Sequence, residues 1–74
     1  MQVHVRLYAN FRIGRFNEEL REYPPGATIR KVLEDLEIKE PEVGTLWVDF
    51  KFATIDQELH EGSNLGIFPM VGGG

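Results

Sequence analysis

Pro24-Pro25-Gly26-Ala27-Thr28-Ile29-Arg30-Lys31-Val32-Leu33-Glu34-Asp35-Leu36 decides how the chain is read. Two prolines and a glycine break whatever precedes them, and Thr28 stands where a helix N-cap belongs. Ile29, Val32, Leu33 and Leu36 then recur at i, i+3, i+4 and i+7, which predicts one amphipathic helix ending near Glu37. Lys31 occupies the position where a capping box would need Glu, so the cap is expected to rest on the Thr28 hydroxyl alone. Arg30/Glu34 and Lys31/Asp35 are spaced as i,i+4 ion pairs on the solvent side.

Working outward, both flanks read as strands. Val3, Val5 and Leu7 alternate with His4, Arg6 and Tyr8, a strand with one buried face. After the turn residues at 10–14, residues 16–23 are expected to pair back as a hairpin with Leu20 inward. Beyond the helix, Pro41 and Gly44 mark a loop, and Leu46, Val48 and Phe50 alternate with Trp47 and Asp49 as a third strand facing inward. Residues 51–55 are expected to hold a short fourth. The turn cluster His60-Glu61-Gly62-Ser63-Asn64 leads to a last strand through Leu65, Ile67 and Phe68, which Pro69 ends because it has no N–H for a ladder.

A helix among four or five strands in so short a chain predicts a two-layer α+β domain, a mixed sheet with one main helix on one face. Order and size suggest the β-grasp, or ubiquitin-like, arrangement. The chain has 74 residues and no cysteine, so one well-packed core must stabilise it, and thiol catalysis and Cys-type metal sites are excluded. His4 and His60 lack neighbouring ligands, so no metal site is expected. Paired acids such as Glu18/Glu19 and Glu34/Asp35 are sequence neighbours that would not share a pocket, and they read as solvated. A net charge of −4 argues against nucleic-acid binding. No signal peptide or membrane-length apolar run is seen, so a soluble cytoplasmic protein without membrane attachment is expected.

The division expected is a body at 1–69 and a flexible glycine tail at 70–74, Met70-Val71-Gly72-Gly73-Gly74. Glycines gain nothing from burial and have the most backbone entropy to lose, so they suit an end that must enter a narrow site.

Several segments together resemble the small sulfur-carrier family of molybdopterin-synthase small subunits and thiamine-pathway carriers (MoaD/ThiS-like). Val5-Arg6-Leu7-Tyr8-Ala9 resembles its opening strand, and Pro25-Gly26-Ala27-Thr28-Ile29 with Val32-Leu33 resembles its helix entry. The run from Glu61 through Pro69 resembles its last turn and strand, and the closing diglycine resembles its tail. Met70 replaces a second Pro, Gly72 replaces Ala, and Asp49-Phe50-Lys51 replaces an Asn-Gly turn. The resemblance implies that the Gly74 carboxylate, preceded by Gly73, is adenylated by a ubiquitin-activating-type adenylyltransferase using ATP and converted to a thiocarboxylate. Sulfur would then pass to a pterin, with the large subunit of molybdopterin synthase as partner, or to a thiazole precursor, with thiazole synthase. On this reading the chain is not an enzyme on its own and binds no cofactor.

Strand phase assigns the partner-binding residues. Trp47 shares the face opposite the core with His4, Arg6 and Tyr8, and Phe68 joins it beside Pro69, Met70, Val71 and Gly72. A one-residue slip would instead put Trp47 inward. A ubiquitin-like protein modifier and a β-grasp module with no reactive end are the other classes consistent with this pattern.

Overall fold

The computed structural model describes residues 1–70. Its elements run β1 (Gln2–Leu7), β2 (Glu18–Glu22), α1 (Ile29–Asp35), β3 (Val43–Val48), β4 (Lys51–Phe52) and β5 (Ser63–Pro69), with 3₁₀ turns at Ala9–Arg12 and Glu40–Glu42. They form one five-stranded sheet in the order β2-β1-β5-β3-β4. β1 and β5 are parallel at its centre, and the other pairings are antiparallel. This is the mixed α+β sheet expected, with the helix on one face. Among the described residues, no helix is long and apolar enough to cross a membrane.

The core lies between that helix and the sheet. Val3, Val5 and Leu7 of β1, Leu65 and Ile67 of β5, and Ile29, Val32 and Leu33 of α1 are almost wholly buried. Phe11 and Tyr23, just outside the strands, close its edge. The buried Ser63 accepts the His60 N–H through Oγ at 3.0 Å, and among the described residues no buried polar side chain lacks a partner. A core so small tolerates no orphaned polar group, because each would cost about 1–3 kcal/mol.

The helix begins as the sequence indicates but is capped differently. Thr28 has extended N-cap geometry (φ −102°, ψ 172°) and makes no side-chain cap bond. Instead the Ile29 and Arg30 N–H groups donate to the carbonyls of Gln57 (3.1 Å) and Ile55 (2.8 Å), so the loop after β4 caps α1 with backbone. At the other end Glu37 turns at φ +59°, Ile38 N–H reaches the Leu33 carbonyl (2.9 Å) and Glu37 N–H reaches Glu34 (3.1 Å). That is a Schellman motif, with Ile38 buried beside Leu33 as its apolar contact. The expected i,i+4 pairs give way to longer-range ones, Arg30 bonding Asp56 and Glu40 while Asp35 bonds Arg21.

Three phase assignments are corrected. Leu20 is 58% exposed, because its register opposite His4 puts it on the open face. Phe50 is 85% exposed, because β3 stops at Val48 and a two-residue turn at Asp49-Phe50 returns the chain into β4, whose ladder is only Lys51–Phe52. Gly44 lies within β3, at a bulge opposite Pro69, and not in a loop.

Candidate functional site

With the core taking one side of every strand, the other side of the sheet is left uncovered. Gly66 sits at its centre, paired with Arg6 on β1 and Trp47 on β3. A glycine inside a strand removes a side chain from the surface, and here it leaves a floor. Around that floor stands a cleft of about 210 Å³ walled by Tyr8, Trp47, Phe50 and Phe68, with His4, Arg6 and Asn64 also lining it.

The walls brace one another. Tyr8 and Phe68 stack with ring centres 3.9 Å apart and planes 6° apart. The guanidinium of Arg12 lies 5.6 Å over the Tyr8 ring while its Nε donates to the Leu7 carbonyl at 2.8 Å. Trp47 and Phe52 pack at 4.3 Å, tilted by 34°. Alternation along β1, β3 and β5 thus brings Tyr8, Trp47 and Phe68 to one face, as the sequence indicates. Phe50 and Phe52 join them from a hairpin that periodicity alone did not reveal.

The charged groups at the edge of this face satisfy each other. Arg6 bonds Glu18 through Nε (2.9 Å) and its terminal nitrogen. Those bonds first, and the Arg6 charge second, hold the Glu18 carboxyl below the usual carboxylate range, and the same bonds to Glu18 raise Arg6 above its ordinary value. His4 Nδ1 lies 3.1 Å from Asn64 Oδ1. What faces solvent at the centre is therefore apolar and aromatic, suited to holding a protein surface rather than to moving protons. Among the described residues, no three or more Asp, Glu or His side chains gather as a metal-ligand set.

The root of the tail is fixed to the same sheet. Pro69 pairs with Val43, and Met70 N–H donates to the Glu42 carbonyl at 2.8 Å. A Cβ on Gly44 would stand 2.5 Å from the Pro69 carbonyl oxygen, so only glycine lets β3 run this close. Met70 is exposed, while Val71, Gly72, Gly73 and Gly74 lie outside the described residues.

The ThiS family model matches residues 5–74. The Pyrococcus furiosus protein assigned as molybdopterin converting factor, subunit 1, is 30% identical over 96% of this chain and 99% of its own, with a TM-score of 0.78. Small archaeal modifier protein 1 of Haloferax volcanii has the same fold (TM-score 0.75, 16% identity, 95% of this chain and 98% of its own). So does a chain in the complex of subunits 1 and 2 of molybdopterin-converting factor from Helicobacter pylori (TM-score 0.67, 18% identity, all of both chains). A search of curated protein sequences gave no match. A family match spanning nearly the whole chain, on a sheet of this topology, makes the protein a member of the ThiS family, a MoaD/ThiS-like sulfur carrier with the ubiquitin-like β-grasp fold.

Proposed function

We propose that this chain carries sulfur into molybdopterin as a thiocarboxylate on Gly74. The observation that carries the reading is its similarity, along nearly the full length of both chains, to the Pyrococcus furiosus subunit. In the first step one Gly74 carboxylate oxygen attacks the α-phosphorus of ATP, giving an acyl-adenylate and pyrophosphate. A sulfide equivalent then attacks the acyl carbon and AMP leaves, so sulfur replaces one oxygen. An ordinary carboxylate is a poor electrophile, and the adenylate supplies the leaving group. Gly73 and Gly74 present no side chain to obstruct either attack.

The body contributes recognition. Tyr8, Trp47, Phe68 and Pro69 form the holding surface beside the tail, and Met70, Val71 and Gly72 lead the end into the partner. Acid, base and ATP site belong to a ubiquitin-activating-type adenylyltransferase. The Helicobacter pylori complex supports a second partner, the large subunit of molybdopterin synthase. A cytoplasmic site for the reaction is compatible with its need for ATP. Sulfur delivery to a thiamine thiazole precursor uses the same first two steps.

One alternative of another class has its own support. The fold shared with small archaeal modifier protein 1 favours a protein modifier, in which a lysine amine takes the place of sulfide at the adenylate.

Intact-mass measurement after incubation with ATP, a sulfide source and an activating enzyme separates these readings. A carrier gains the mass difference between one sulfur and one oxygen atom, and molybdopterin appears when the large subunit and a pterin precursor are added. A modifier forms larger conjugates. An unchanged mass would overturn both.

A further inference from the structure

The β3–β4 turn holds two non-glycine residues in the left-handed region, Asp49 at φ +52° and Phe50 at φ +68°. A two-residue hairpin with both central residues at positive φ favours Asn-Gly or Asp-Gly. Asp49 suits its place: its carboxylate accepts the Asn64 N–H at 3.0 Å and stands 3.3 Å from His60 Nε2, and its own N–H donates to the Asn64 carbonyl at 2.9 Å. Phe50 stands where glycine would be easiest, and a bulky residue there is an outlier. Its ring is 85% exposed, so core burial does not offset the strain. Yet that ring walls the open-face cleft opposite Phe68.

The cleft is too small for an ordinary cofactor. Its 210 Å³ falls below the roughly 300–1,000 Å³ of small-molecule pockets. One large apolar side chain fits such a space, and the polar groups at its rim are already committed to Glu18 and Asn64.

Geometry also says whose side chain. On the carrier reading above, on which this inference rests, residues 71–74 must reach an active site, and four extended residues span at most about 14 Å. The activating protein must therefore sit against the end of β5. From Met70 back to Asn64, level with the turn, is about 20 Å of strand. A standard interface of roughly 800 Å² per partner covers that length. We propose that the cleft receives one apolar side chain of the protein that activates the tail, and that Phe50 is the wall that selects it.

Phe50→Gly separates stability from recognition. It relieves the turn, so Tm should rise, while ATP–pyrophosphate exchange by an adenylyltransferase that accepts the wild-type chain should show KM for the carrier raised about tenfold at unchanged kcat, the scale of losing one interface anchor. Phe50→Tyr should keep the wild-type KM. A Phe50→Gly KM equal to wild type would overturn the proposal even if a synthase large subunit bound less tightly, and so would a lowered Tm. If the wild-type chain is never adenylated, the carrier reading fails and this inference falls with it; if wild type reacts and Phe50→Gly reacts identically, only this inference fails.

Discussion

The Tyr8 ring lies flat on the Phe68 ring, 3.9 Å between centres, locking the end of β1 to the residue before Pro69. Stacking of this kind is worth about 0.5–1.5 kcal/mol beyond area burial. Phe68→Ala should therefore cost roughly 1–2 kcal/mol, a Tm fall of several degrees for a domain this size. Leu65→Ala, in the buried core of the same strand, should cost about 2–5 kcal/mol. Partner affinity should show the opposite order, with Phe68→Ala, Trp47→Ala and Tyr8→Ala the more damaging. Thermal melts beside titration against the activating enzyme check this, and a Phe68 variant that loses stability with intact binding would assign the ring to the core alone.

A polar cluster ties edge strand β2 to the helix. Arg21 donates to Asp35 Oδ2 at 2.7 Å and to the Tyr23 hydroxyl at 3.0 Å, and that hydroxyl donates to Asp35 Oδ2 at 3.0 Å. The Arg21 bond first, then the Tyr23 bond, hold the Asp35 carboxyl below the usual carboxylate range. A depressed folded pKa means stability present above the unfolded value, near pH 4, and lost as pH falls through the folded one. Since the Asp35 side chain is 42% exposed, that loss should stay below about 1 kcal/mol.

Tyr23 predicts the alkaline limb. Burial first, and the bond to Asp35 behind it, push the phenol up to about 12 against the opposing bond from Arg21. A raised folded pKa gives stability that is complete below the unfolded value of about 10 and lost as pH rises through the folded one, at most about 3 kcal/mol in all. Urea titrations at pH 3, 7, 10 and 11.5 should show both limbs. Asp35→Asn should flatten the acid limb and Tyr23→Phe the alkaline limb. An alkaline loss undiminished in Tyr23→Phe would place its origin elsewhere.

These tertiary ties mark where the sequence stops being readable. β1, β3 up to Val48, and β5 alternate cleanly because one face of each is core, so both the sheet and the Tyr8, Trp47, Phe68 face follow from period alone. β2 pairs on one side only, and its helix-side residues Glu19 and Arg21 are held by ion pairs, so its lone Leu20 points away from the core that composition suggests. Phe50 defeats counting because the strand ends two residues before it, at a turn that lacks the usual glycine. The Thr28 hydroxyl is unused because carbonyls almost thirty residues on arrive at the helix end, and no local pattern carries that.

Two glycines should respond in opposite ways to the same added methyl. At Gly44 a Cβ would meet the Pro69 backbone at 2.5 and 2.9 Å and Met70 Cα at 3.0 Å, so backbone must shift. Gly44→Ala should cost about 1–3 kcal/mol and displace the root of the tail, lowering thiocarboxylate yield even below the melting range. At Gly66 the nearest atoms are Tyr8 Cε2 at 3.5 Å and Trp47 Cβ at 3.8 Å, ordinary contact distances. Gly66→Ala should fold with a near-native Tm while raising the floor of the cleft and weakening partner binding. Equal destabilisation of the two variants would contradict the geometry given for Gly44.

Removal of Gly73 and Gly74 tests whether the body and the reacting end are separable. The hydrogen bonds described at the end of β5 reach as far as Met70, whose N–H is held by the Glu42 carbonyl at 2.8 Å, and the buried apolar residues end at Ile67. The truncated chain should therefore melt within about four degrees of wild type, since changes away from buried or strained features usually stay within about 0.5 kcal/mol. It should also compete with wild type for the activating enzyme, because Tyr8, Trp47 and Phe68 remain. What it should lose is chemistry: no adenylate, no pyrophosphate exchange, and no gain in mass with sulfide. Adding one glycine back beyond Gly74 should impair activation without touching competition, because the carboxylate would then be carried about 3.5 Å past the position the enzyme holds. A truncated chain that still gained sulfur would locate the acceptor on the body and remove Gly74 from the reaction.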